Sequence, residues 1–192
     1  MSRVRGLRLS AAGCTFQLGA ALAALSWVTP VQAAAGQWQA GGRLGLAWLS
    51  GGGLGPALDG YLRRGISESL DLDLQVLGSV HPFQADSKMN AGTAQEKTPW
   101  ALGIIPGLSY RWDVFRVVPY AGIGLGFYSL HNAVVTSAGG QFGASGRVGL
   151  DYLFNRSVVL SVQASVHVVN LQGSLQVPWV QIGLGAAHAW GW

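Results

Sequence analysis

The sequence predicts an all-β chain, an eight-stranded antiparallel up-and-down transmembrane β-barrel. Three observations carry this. Apolar and polar residues alternate with period two along most of the chain, the pattern of a strand with two unlike faces. Charged residues make up only 10% of the chain while hydrophobic residues make up 49%, far less charge than the roughly 25% of an ordinary soluble domain. The tryptophans collect at the ends of the apolar faces rather than at their centres.

Residues 1–35 read as a cleaved secretory signal peptide, leaving 36–192 as the barrel domain. Arg3, Arg5 and Arg8 precede an apolar stretch from Leu18 to Val28, and small residues follow at Ala33 to Ala35. That is the order of a basic region, an apolar region and a cleavage site. The only cysteine, Cys14, falls in the leader, so the mature chain has no disulfide or thiol chemistry. Removing three arginines from twelve basic residues leaves nine against eight acidic ones. No basic patch remains to argue for nucleic acid.

The strands follow in order. Residues 38–48 place Trp38, Leu44, Leu46 and Trp48 opposite Gln39, Arg43 and Gly45. The Gly-rich stretch 50–56 reads as a loop. A weaker segment, 57–66, sets Leu58, Leu62 and Ile66 against Asp59, Tyr61 and Arg63. In 69–81, Leu70, Leu72, Leu74 and Val76 alternate with Asp71, Asp73 and Gln75. Segment 100–112 runs from Trp100 to Trp112, with Ser109 and Arg111 opposite. Segment 118–128 carries Ile123, Leu125 and Phe127 against Tyr120 and three glycines. In 141–152 the apolar face opposes Gln141, Ser145, Arg147 and Asp151. Segment 157–169 alternates from Val158 to Val168 against Ser161, Gln163, Ser165 and His167. The last, 178–192, ends on Trp190 and Trp192.

Three connections are tight, at about 66–68, 113–115 and 154–156. The others, 50–56, 82–98, 131–139 and 170–176, are longer or Gly-rich. Short turns at one end and longer loops at the other match an outer-membrane barrel. An even strand number then puts both termini on the periplasmic side.

The tryptophans decide which face meets lipid. Trp38, Trp48, Trp100, Trp112, Trp190 and Trp192 share the apolar faces and form two aromatic girdles. Ten residues separate Trp38 from Trp48, which in a tilted strand spans roughly 25 Å along the membrane normal. Indole favours that interface because its ring is apolar and its N–H seeks water. The polar face therefore lines the lumen. It carries Arg43, Asp59, Arg63, Asp71, Asp73, Arg111, Arg147 and Asp151, equal numbers of each sign. An eight-stranded barrel has room only for side chains, and buried charges must pair. The expectation is a salt-bridge plug, with glycines on the same face making room for the arginines.

The segment 106–128, PGLSYRW…VVPYAGIGLGFY, resembles the recurrent hairpin of the small eight-stranded outer-membrane barrels: the OmpA-type transmembrane domain and the OmpW and opacity-type barrels. The terminal Trp192, with apolar residues alternating back to Val180, resembles the signal read by the barrel-insertion machinery. The resemblance covers roughly 37–192. It implies outer-membrane lipid and the insertion machinery as partners, and a structural or surface-scaffold role. A narrow path for small or hydrophobic solutes is the alternative that the OmpW resemblance implies. A lateral gap at 57–66, Pro119 or Pro178 would favour it.

A third reading is a lipid-modifying enzyme. Ser165, His167 and Asp151 are the residues to weigh for acyl transfer, but His167 reads more simply as a lumen polar group, and no catalytic residue is assigned. His81, Asp86 and Glu96 flank loop 82–98 without metal-ligand spacing. GIGLG at 122–126 lies inside a strand with no helix behind it, so it is no dinucleotide loop. No cofactor or metal is expected. Loop 82–98 and residues 131–140 are the first candidates for an external partner.

Overall fold

The computed structural model describes residues 35–50, 53–82, 98–112, 116–131, 140–169, 171 and 177–191. The leader, most of loop 82–98, turn 113–115, residues 132–139 and Trp192 lie outside them. Eight strands run in chain order: β1 (Trp38–Leu49), β2 (Gly53–Gly65), β3 (Leu70–Val80), β4 (Trp100–Arg111), β5 (Val117–His131), β6 (Gly140–Leu153), β7 (Val158–Val169) and β8 (Val177–Trp190). Each pairs antiparallel with its sequence neighbours, and β1 pairs with β8 to close the barrel. The closing seam is in register from Trp38 opposite Trp190 to Leu49 opposite Trp179. Closure removes the free edge, which lipid could not satisfy.

Burial alternates along every strand. In β2 it does so without a break over all 13 residues. Outward positions are large and apolar: Leu44, Leu46, Leu58, Leu72, Ile104, Ile123, Phe127, Ile182 and Leu184 are all exposed on the wall. Lumen positions carry the polar residues. The two ends differ as the sequence implies, since the connections after β2, β4 and β6 are short and share one end with both termini. We call this the turn end, and the opposite one the loop end.

One element departs from the sequence reading. Residues 53–56, expected in a loop, belong to β2, so only the connection around residues 50–52 remains. Glycine and proline hid the alternation there. Leu54 and Pro56 face outward, Gly53 and Gly55 inward. Gly55 is required by close approach: a Cβ there would stand 1.8 Å from the carbonyl oxygen of Val80.

The suggested lateral gaps are not present. β2 pairs with β1 along twelve residues, Pro119 stands opposite Leu150, and Pro178 stands opposite Val168. Both prolines face outward or nearly so, and their carbonyls accept from Trp112 N (3.0 Å) and Ser50 N (3.0 Å). The ladder does lapse between β4 and β5. Pairing passes from Ile104–Phe127 to Gly107–Gly124, because Pro106 has no N–H to give. The register is the same on both sides of the lapse.

Gly55→Ala should lower the urea midpoint of the folded barrel in detergent by the equivalent of ~1–3 kcal/mol, the usual cost of overpacking. Gly146→Ala should leave it unchanged, since a Cβ there meets nothing within 4 Å. Equal midpoints for the two variants would contradict the register at residues 53–56.

Candidate functional site

The chemistry-bearing residues of the described chain gather in the lumen. All eight charged residues anticipated for it are buried there. Their order follows from strand parity, since each sits an even number of residues from its strand's other lumen positions. The four arginines each meet a different aspartate. Arg43 lies directly opposite Asp59 on the neighbouring strand. Its Nε donates to Asp59 Oδ1 at 2.9 Å, and its Nη2 stands 2.8 Å from the same oxygen. Arg63 Nη1 donates to Asp151 Oδ2 at 2.8 Å, across the barrel from β2 to β6. Arg111 Nη2 donates to Asp71 Oδ1 at 2.7 Å, with Nε 2.6 Å from Oδ2. Arg147 reaches from β6 to Asp73 on β3, and its Nη1 donates to Gln75 at 3.2 Å.

Neutral groups complete this layer. Ser109 donates to Asp73 and Gln181 to Asp59. The Tyr120 hydroxyl accepts from Arg43 Nη1 (3.3 Å) and donates to Gln163 (3.0 Å). Arg43 lies 4.2 Å from the Tyr61 ring centroid and Arg63 lies 4.5 Å from that of Tyr120, within cation–π range. Glycines make the space. A Cβ on Gly107 would fall 2.5 Å from Arg147 Nη2, and one on Gly149 would fall 2.4 Å from the Tyr120 ring. The cavity left among Arg43, Tyr61, Arg63, Asp73, Gln75, Arg147 and Gln163 is about 10 Å³, room for roughly one water molecule.

A second layer, toward the loop end, has no counterpart in the sequence reading. Leu49, Leu77, Ile105, Tyr128, Leu130, Val169, Val177 and Trp179 form a buried apolar cluster inside the lumen. Tyr128 and Trp179 meet edge to face at 6.2 Å, and His167 packs on Trp179 at 5.1 Å. The signal for it was present in the sequence. Leu77, Ile105 and Trp179 are apolar residues on the polar parity of their strands, and all fall in the loop-end half.

Two Ser-Val-His segments, 79–81 and 165–167, lie near the loop-end termini of β3 and β7. His81 Nδ1 donates to the carbonyl of Gly53 (2.9 Å), which leaves Nε2 of the neutral ring to accept from Ser79 (2.7 Å). Burial lowers the His81 pKa, against the carbonyl's opposing pull, so the neutral form fits this pattern. His167 contacts Tyr128 (3.1 Å) and Ser165 (3.0 Å). Asp151 is not part of that group. It pairs with Ser161, whereas His167 pairs with Ser145 on the same two strands, an offset of six residues or roughly 20 Å. Asp151 is held by Arg63 instead, so Ser165, His167 and Asp151 are not assembled as a triad. No cluster of three metal-ligating side chains occurs among the described residues. Asp86 and Glu96 lie outside them, as do most of loop 82–98 and residues 132–139.

Of the girdle tryptophans, Trp38, Trp112 and Trp190 stand at the turn end, and Trp48 and Trp100 at the loop end, all on the outward face. His131 stacks on Trp100 at 5.3 Å and His188 on Trp190 at 5.8 Å.

Arg147→Ala should cost ~3–5 kcal/mol of unfolding free energy, because it strands Asp73 as a buried unpaired charge. Arg111→Ala should cost less, since Arg111 is nearer the turn-end opening. Unchanged thermal unfolding in detergent for both variants would refute a structural role for the ion pairs.

The model of the outer membrane protein beta-barrel domain family matches residues 18–187. No curated protein sequence matches the chain. Among solved structures the fold is similar to Neisserial surface protein A, at 17% identity and TM-score 0.58 over 79% of this chain and 95% of that one. It is similar to OprG from Pseudomonas aeruginosa, at 12% identity and TM-score 0.57 over 83% and 98%. It is also similar to Ail, the attachment invasion locus protein of Yersinia pestis, at 12% identity and TM-score 0.55 over 81% and 99%. These identities speak for the fold alone. The family match over most of the chain, together with a closed eight-stranded barrel with an apolar outer wall, makes this chain a member of the outer membrane protein β-barrel domain family, whose setting is the Gram-negative type of outer membrane.

Proposed function

We propose that the protein is a closed, non-conducting outer-membrane barrel. Its role is structural or that of a scaffold displaying the loop-end segments at the cell surface, and it performs no catalysis. The observation that carries this reading is the pairing of four arginines with four aspartates, each arginine holding an aspartate of its own and Arg63 also standing 3.8 Å from Asp71, around a cavity of about 10 Å³. A permeation path needs exchangeable water, and a hydrated ion is far larger than that cavity. The apolar layer closes the lumen a second time. In this reading the turn end and both termini face the periplasm, following the usual arrangement of short turns. The names of two similar folds, a surface protein and an attachment protein, are in keeping with loop-end display.

A second reading is a lateral path for small apolar solutes, and one observation favours it. The β4–β5 ladder lacks pairing at Ile105 and Pro106, so that seam is held by fewer bonds than its neighbours. Single-channel conductance of the refolded barrel in a planar bilayer tests the closed lumen. The fraction used is the one whose gel mobility shifts on heating. No discrete openings are expected. Steady, reproducible openings would make the lumen a path and overturn the closed-barrel reading.

The insertion machinery is the partner proposed for the segment that holds β8, through Trp192. Deleting Trp192 should reduce outer-membrane levels of the folded protein. Undiminished levels would remove the proposal.

A further inference from the structure

Nine charged residues lie within the eight strands, and eight of them point into the lumen. The ninth, Arg64, is exposed on the outer wall. It follows Arg63, so the two adjacent arginines necessarily point to opposite faces. An arginine on the lipid face costs about 2–4 kcal/mol at the bilayer midplane and little at the interface. Arg64 sits one residue from the turn-end terminus of β2, where that cost is small. No carboxylate among the described residues forms an ion pair with it. Its partner is aromatic: the guanidinium lies 5.1 Å from the ring centroid of Trp38.

Register explains what surrounds it. Trp38 of β1 stands opposite both Arg64 of β2 and Trp190 of β8. Trp38 and Trp190 are parallel to within 8° at 6.5 Å. Trp190 stacks in turn on His188 at 5.8 Å and 17°. The result is a row across three strands, Arg64, Trp38, Trp190 and His188, at the rim of the apolar wall. Below it on the same seam come Leu62 and then, past Gly42 and Gly60, Leu58, Leu44 and Leu184 side by side, all exposed.

We propose that this row binds the phosphate of an anionic glycerophospholipid in the leaflet that meets the turn end. Arg64 supplies the charge and a forked donor set suited to phosphate. The Trp38 ring holds the guanidinium at the rim. The two indoles form a platform at headgroup depth, and the leucines below take an acyl chain. The chemistry selects an anionic headgroup over a zwitterionic one, since a zwitterionic lipid brings its own cation to the same place. This inference rests on the membrane setting and on the proposed orientation with the turn end at the periplasmic leaflet, and it is independent of whether the lumen conducts.

The test is native mass spectrometry of the folded full-length mature barrel, released from detergent with equimolar phosphatidylglycerol and phosphatidylcholine. One phosphatidylglycerol adduct should predominate by about fivefold, the factor that ~1 kcal/mol per basic side chain at an anionic surface provides. Arg64→Gln should abolish the preference. Arg116→Gln, which removes an exposed charge at the same end, should keep it. Heat-shifted gel mobility confirms that each variant is folded. Equal adducts in the parent protein, or a preference that survives Arg64→Gln, would overturn the proposal. So would loss of preference in Arg116→Gln, which would indicate diffuse charge. Displacement of the bound phosphatidylglycerol by lipid A at equal concentration would assign the row to the other leaflet and overturn it as well.

Discussion

A charge inside a narrow barrel has nowhere to go but to another charge. Taking an arginine or an aspartate out of water costs several kcal/mol per ion, and only a well-placed partner offsets it. An eight-stranded lumen offers no bulk water and little room. The eight buried charges of this chain are therefore a packing constraint as much as an electrostatic one. Each arginine must be long enough to reach its aspartate, and each opposing position must be small enough to let it pass. Gly107, Gly122 and Gly149 satisfy the second condition beside Arg147 and Tyr120. The first decides which strands are cross-linked. Arg63 to Asp151 and Arg147 to Asp73 span the barrel rather than joining neighbours.

The periodicity made much of this legible. Lumen and lipid faces follow from parity, so Arg43, Asp71 and Asp151 are assigned to the interior by counting. Tryptophan placement at the strand ends set the direction of the faces. What counting cannot give is distance across the lumen. Arg63 and Asp151 are 88 residues apart, and which charges face each other depends on strand tilt and stagger. Arg43 and Asp59 are the simpler case, since they are cross-strand neighbours. The start of β2 was hidden for a different reason. Gly53, Gly55 and Pro56 carry turn chemistry in most settings, but here glycine satisfies a close approach and proline faces outward, where a missing N–H is tolerated.

Arg64 and Trp179 are the two departures from parity that matter. Each puts the wrong class of residue on its face, and each marks a place where the simple two-faced strand has a second task. Trp179 turns a polar lumen position into the anchor of an apolar layer. Arg64 turns a lipid-facing position into a charged one at the rim. Both lie near strand ends, where the solvent changes from hydrocarbon or packed interior to headgroup or loop.

The two lumen layers act on each other. The apolar layer at the loop end keeps water away from the ion pairs below it, and a lower local dielectric strengthens every paired charge while raising the cost of any unpaired one. The ion pairs in turn tie β2 to β6 and β3 to β6, strands that share no ladder bonds. Backbone closure alone would hold the wall while leaving its cross-section free to flatten. Cross-lumen pairs resist that flattening, and the aromatic cluster of Tyr128, His167 and Trp179 does so again one level higher. The loop-end segments therefore leave from strand termini that are fixed relative to one another. A frame of this kind is the mechanical requirement that the proposed display of loops places on the barrel.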